Sequence, residues 1–76
     1  MEFAIHHAAT GDFEGEALAL ARRLFAVYDE AIDSLALLPT DDDELALYLN
    51  GQLVASQRRD GRPPTVAAVR ALLAGN

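Results

Sequence analysis

Residues 44–57, "ELALYLNGQLVASQ", decide the fold. Two alternating runs flank Asn50-Gly51, a pair that tolerates positive φ at both centres of a type I′ turn, so the stretch predicts a β-hairpin. A two-residue loop fixes the register. It sets Tyr48 opposite Leu53 and Leu47 opposite Val54. Because side chains alternate along a strand, the hairpin supplies apolar residues to both faces of a sheet. Leu45, Leu47, Leu49 and Val54 are expected on one face; Ala46, Tyr48, Leu53 and Ala55 are expected on the other. The bulkier set should face the helices.

Downstream, "RRDGR" (58–62) leaves the sheet and Pro63-Pro64 resets the direction. "TVAAVRALLA" (65–74) then predicts a helix ending at Gly75. Upstream, "EFAIH" (2–6) is short, apolar and carries a β-branched Ile5, which suits a strand. "AATGD" (8–12) breaks that pattern, and Thr10 or Asp12 is placed to cap a helix start. Glu14 and Glu16 put negative charge where the helix dipole favours it. Apolar residues then recur at helical spacing: Phe13, Ala17, Leu20, Leu24 and Tyr28, with Ala21 and Val27 beside them. Arg22 and Arg23 fall on the opposite, solvated side. "SLALLP" (34–39) reads as a second strand and "TDDDE" (40–44) as a turn. Its four consecutive acids lack the alternating oxygens, central Gly and distal Glu of an EF-hand loop, so a solvated loop is expected. The order is β-α-β-β-β-α, without linker, repeat or low-complexity tract.

The chain has 76 residues, is 51% hydrophobic and contains no cysteine. A domain this small is marginal alone, and neither disulfides nor Cys-ligated metals can reinforce it. Some apolar surface is therefore expected to lie under a partner or a second copy. The net charge of −6 argues against nucleic acid and against anionic membrane surfaces. All six basic residues are Arg, a bias that fits a GC-rich bacterial genome. The first residues lack the basic and apolar regions of a signal peptide, and no stretch reaches transmembrane length, so a cytoplasmic location is expected.

The order of elements, with these end motifs, resembles the selenoprotein W-like (Rdx) family of thioredoxin-fold proteins. Residues 44–73, "ELALYLNGQLVASQRRDGRPPTVAAVRALL", are similar to that family's hairpin, basic turn, Gly-x-Phe-Pro segment and closing helix; "LALARRLF" (18–25) is similar to its first helix. The resemblance implies a two-layer, thioredoxin-like α+β domain over residues 1–76, with a four-stranded mixed sheet and both helices on one face. It also implies a Cys-x-x-Cys or Cys-x-x-selenocysteine pair after the first strand. Those positions fall on or near Ala8 and Gly11, and the family's Phe is replaced by Pro63. Thiol–disulfide exchange needs one sulfur to attack and a second to resolve the mixed disulfide. A methyl group and a hydrogen do neither, so the activity that the resemblance implies is not expected here.

The other candidates are sparse. His6 and His7 are the only histidines, and as neighbours at a strand end they should point to opposite faces, a poor start for one metal site. One is expected to pack or cap and the other to be solvated; no metal and no cofactor is expected. Arg58, Arg59 and Arg62 cluster around Gly61 and suit either an anionic or acidic partner or a solubilised sheet edge. "LNGQLV" also occurs in ubiquitin-like sulfur carriers, but "LLAGN" does not supply their Gly-Gly end. What remains is a non-catalytic protein-interaction domain, self-associating or an accessory subunit of a larger assembly, redox assemblies among the candidates. Its contact strip would be Ala46, Tyr48, Leu53 and Ala55. The alternative is an enzyme or carrier using His6, His7 or Thr10, with metal or redox assistance.

Overall fold

Strand β1 (Glu2–Ala8) occupies the middle of the sheet. β2 (Ser34–Thr40) runs parallel to it on one side, and β3 (Leu45–Leu49) antiparallel on the other. β4 (Gln52–Ser56) completes the order β2-β1-β3-β4. The parallel pair needs a crossover, which helix α1 (Phe13–Tyr28) supplies. A short helical turn, α2 (Gln57–Asp60), follows β4 and leads to α3 (Val66–Ala74). The computed structural model describes residues 1–75; Asn76, on which the comparison with Gly-Gly tails turned, lies outside them.

The core explains which face the helices cover. Phe3 and Ile5 of β1, Leu45, Leu47 and Leu49 of β3, Ala17, Leu20, Ala21 and Leu24 of α1, and Val69 of α3 form one buried cluster. Burying a Leu or Ile side chain stabilises by about 1.5–3 kcal/mol, so these few residues hold most of the fold. Both long helices pack on that one face, giving the two-layer thioredoxin-like α+β arrangement expected. The helical stripe is narrower than the spacing suggested. Val27, expected beside it, is 43% exposed.

Four local details depart from the sequence expectations. β1 continues past His6 to Ala8, because the Ala8 N–H donates to the Glu44 carbonyl (2.9 Å) and the Ala9 N–H to the Thr40 carbonyl (3.0 Å). Neither Thr10 nor Asp12 caps α1. Asp12 holds the N-cap position but makes no side-chain cap bond, and its φ of −91° and ψ of 5° are not the extended geometry that aims a cap at the first turn. Residues 57–60, expected only to exit the sheet, form a helical turn. Ser56 Oγ accepts from the Arg59 N–H (3.2 Å) at its start.

The fourth departure is in the hairpin. Asn50 (φ 51°) and Gly51 (φ 82°) make the type I′ turn, and Tyr48 faces Leu53 as expected. Leu47, however, faces Ala55 and not Val54, because a bulge between Leu47 and Tyr48 makes Val54 an extra residue. Directly opposed residues share a face, so Ala55 joins Leu47 on the helix side, and Ser56 stands opposite Ala46. Ala55 therefore leaves the strip to which the alternation assigned it.

Candidate functional site

The β1–α1 turn holds the two positions to which the resemblance carries a thiol pair. Ala8 ends β1 and is buried; Gly11 sits in the turn with φ 82°. That φ is one L side chains rarely adopt, so the position suits glycine for backbone reasons even though space surrounds it. The neighbouring recess, about 210 Å³, is lined by Thr10, Thr40, Asp41, Asp42 and Asp43 beside Ala8 and Ala9. Thr10 is exposed, with no basic group among that lining.

The histidines separate as adjacent strand residues must. His7 lies on the helix side, buried, with its Nδ1 3.0 Å from the Ala8 carbonyl. His6 lies on the other face, its ring centroid 4.6 Å from that of Tyr48 at a tilt of 40°, an ordinary aromatic packing geometry. One thus packs, as expected, while the other leans on Tyr48 instead of standing free in solvent. His6, His7 and Thr10 do not converge on one point. Among the described residues, no three His, Cys, Asp or Glu side chains are grouped to hold a metal ion.

The uncovered face is built by the same alternation. Cross-strand partners give two complete rows: Ala36, Ala4, Tyr48 and Leu53, and next to it Leu38, His6, Ala46 and Ser56. Neither row contains a carboxylate or a guanidinium. Tyr48 and Leu53 are half-buried and Leu38 is 43% exposed, while Ala46 is buried between larger neighbours. Three of the four expected contact residues, Ala46, Tyr48 and Leu53, therefore share this face.

A polar cluster sits at the far end of β4, and the acid run concealed it. Glu44 Oε2 accepts from Ser56 Oγ (2.8 Å), while its Oε1 accepts from the N–H groups of Leu45 (2.9 Å) and Arg58 (3.1 Å). Burial pushes the Glu44 carboxyl up, but those hydrogen bonds outweigh it and hold the group below its ordinary value of 4.5. Asp60 accepts from the Ser56 N–H (3.0 Å) and pairs with Arg59 Nε (2.8 Å). Arg59 beside it and the Ser56 N–H hold the Asp60 carboxyl down to about 2. Ser56 followed by an acid four residues on was a legible variant of a capping box. Glu44 had no such local signal, since Ser56 and Arg58 lie 12 and 14 residues away.

The three arginines do not form one anion pocket. Arg58 Nη2 donates to the Asp43 carbonyl (3.3 Å) and Arg59 Nη2 to the Val54 carbonyl (3.0 Å). Arg59 and Arg62 both border a cleft of about 530 Å³ between β4 and α3, with Asp60 between them and Val54, Ala55, Ala67 and Ala68 in its lining; Arg58 is not part of it. Arg59 thus covers a carbonyl of the β4 edge, which favours the edge-protecting role over the anion site.

Solved structures share this architecture. A selenoprotein W-related protein from Vibrio cholerae superposes with a TM-score of 0.82 at 17% identity, covering 92% of this chain and 88% of its own. A protein from Bordetella parapertussis gives 0.83 at 18% identity, covering 97% and 94%. The chain has the selenoprotein W-like fold. At these identities the likeness extends to the fold and not to the chemistry. No family model matches the chain, and neither does any curated protein. Within the selenoprotein W-like fold β1 here ends at Ala8, the turn after it begins Ala9, Thr10 and Gly11, and the sequence has no thiol. No helix among the described residues is long and apolar enough to cross a membrane.

Proposed function

We propose that this chain is a non-catalytic protein-interaction domain: a selenoprotein W-like scaffold that has lost the thiol site and works by contact, as an accessory subunit of a larger assembly. Two uncharged rows of the open sheet face, on a chain of net charge −6, are the observation that carries this assignment. A contiguous exposed apolar surface on a small domain usually marks an interface. The β1–α1 turn supports the loss of chemistry. It offers no sulfur, and its Gly11 holds a backbone conformation that would strain a cysteine. A bacterial, cytoplasmic setting fits the Arg-only basic composition and is part of the same proposal.

Affinity capture from the native host, with mass spectrometry of retained polypeptides, tests the assignment. A polypeptide held by the wild type and lost with Tyr48→Glu supports it; equal retention by both overturns the open face as the contact. In parallel, clean protein should show no disulfide reductase turnover with dithiol or glutathione donors. Reproducible turnover would show that the domain is catalytic after all.

A further inference from the structure

The two edges of the sheet are finished differently. At β4 the bulge twists the strand and Arg59 Nη2 caps the Val54 carbonyl, both ordinary means of blocking a further strand. At β2 the guard is limited to Pro39, one residue from the end of the strand. Its seven residues, "SLALLPT", carry no charge on a chain of net −6. Three of the five large apolar side chains most exposed to solvent surround it: Leu38 on the strand itself, with Leu18 and Phe25 on α1. Glu16, Ala19 and Arg23 line the α1 flank beside Pro63 and Pro64. Helical spacing therefore puts Leu18 and Phe25 on the other flank, toward β2.

The hydrogen bonds fix what that edge presents. The Thr40 carbonyl accepts from the Ala9 N–H, so even-numbered residues of β2 bond to β1 and odd-numbered ones turn outward. Leu35 and Leu37 thus offer N–H and C=O groups outward. Pro39 falls on the outward set, where its missing N–H costs the sheet nothing.

We propose that β2 is the seam of a symmetric dimer, in which two copies pair antiparallel through this edge about a two-fold axis at Ala36. In that register Leu35 bonds to Leu37 of the second copy and Leu37 to its Leu35, so every free donor of the edge meets an acceptor. Pro39, which cannot donate, falls opposite Asp33, whose N–H is already engaged by the Met1 carbonyl at 2.8 Å. A register shifted to centre on Leu37 would instead set Leu35 against Pro39 and leave the Leu35 carbonyl without a donor. Within the strand itself, charge does not oppose a second copy as occupant. Neither Asp33 nor Asp41 falls opposite another acid, and like charges directly opposed destabilise a strand pair. The seam is small. A seven-residue strand of roughly 23 Å across the 18 Å thickness of the molecule gives a footprint on the order of 400 Å² per copy, half that of a standard interface. The dimer is accordingly weak and concentration-dependent. It is made through the backbone edge of β2 and shares only Ala36 and Leu38 with the open face, so it does not rest on the open-face contact.

Sedimentation or light scattering from about 1 µM to about 1 mM should show monomer passing to dimer. Ala36 is exposed, so Ala36→Lys leaves the monomer folded while setting two ammonium groups against each other on the axis; it should weaken the dimer by at least about tenfold. Register is read independently by single cysteines in this cysteine-free chain. Ala36→Cys faces itself across a non-hydrogen-bonded pair with Cα atoms about 4.5 Å apart, within disulfide range, and should cross-link rapidly on oxidation. Ser34→Cys faces Leu38 and should not. A protein monomeric throughout that range overturns the proposal. So does cross-linking of Ser34→Cys as fast as Ala36→Cys, or a dimer abolished by Tyr48→Glu and untouched by Ala36→Lys.

Discussion

Leu47 and Tyr48 are consecutive residues of one strand, yet they belong to different molecular environments. Leu47 is fully buried under the helices, in contact with the side chains that make the fold. Tyr48 lies on the uncovered face against His6, in a row that the domain's own helices leave open. The covered face is bulky and close-packed: Phe3, Ile5, Leu45, Leu47 and Leu49. The open one alternates alanines with a few large side chains. The two long helices among the described residues both pack on one side of the sheet, and the difference shows which side was given to stability.

The sharpest way to break that contrast is a carboxylate on each face. Leu47→Glu should unfold the domain, since an unpaired charge in the core costs more than about 4 kcal/mol, most of the stability of a small domain. Circular dichroism melting reads this directly. Tyr48→Glu should melt within about 1 kcal/mol of wild type, because its carboxylate reaches water, while association through the open face collapses in co-purification. If Tyr48→Glu unfolds the protein and Leu47→Glu is tolerated, the faces are exchanged.

A smaller effect is expected where the two faces meet, at Glu44. Glu44→Gln should cost about 1 kcal/mol by weakening charge-assisted bonds to Ser56, Leu45 and Arg58. The folded protein holds this carboxyl deprotonated more firmly than the unfolded chain does, so as pH falls the unfolded chain takes up its proton first. The contribution of Glu44 is present above its ordinary 4.5 and disappears as pH drops through the lowered folded value. Asp60 adds a similar loss between its ordinary 3.8 and about 2. Melting midpoints from pH 7 down to pH 2 should therefore decline less steeply in Glu44→Gln than in wild type. Equal slopes would show that Glu44 does not stabilise the β4 end.

The smallest change should come from His6→Ala, which removes one ring from the open-face pair. A loss of about 0.5 kcal/mol is expected in the melt. A loss several times larger would mean that the open face contributes to the fold as the covered one does.

Much of this contrast was legible in the sequence. Asn50-Gly51 fixes the hairpin because the backbone conformation it permits is local, and alternation along Leu45–Leu49 then sorts the two faces. The bulge was not legible. "LVAS" carries neither Gly nor Pro, and the extra residue is settled by how β4 meets α3 and by the bonds that tie Ser56 to Glu44 and Asp60. Ala55 changed faces for that reason. The degenerate turn could be located by its place before α1, whereas the role of Glu44 depends on partners far along the chain. The narrow apolar stripe of α1 had a similar cause. Spacing alone does not reveal that no second element covers Leu18, Phe25 and Val27.

The central position of β1 has a consequence for how the molecule is made. The strand leaves the ribosome before any of its partners, yet it belongs between β2 and β3. Its first neighbour becomes available once Thr40 has emerged and its second only after Leu49. The β3–β4 hairpin, by contrast, closes over two residues and can form as soon as it is synthesised. Nascent chains therefore hold an apolar strand waiting for the last-made half of the sheet, and long-range pairing of this kind slows folding and leaves strand edges exposed to other chains. Asn50 serves that closing step as well as the turn: its Oδ1 accepts from the Glu2 N–H (2.9 Å) and its N–H donates to the Glu2 carbonyl (2.8 Å). The residue that reverses the chain is also the clasp that seats its beginning.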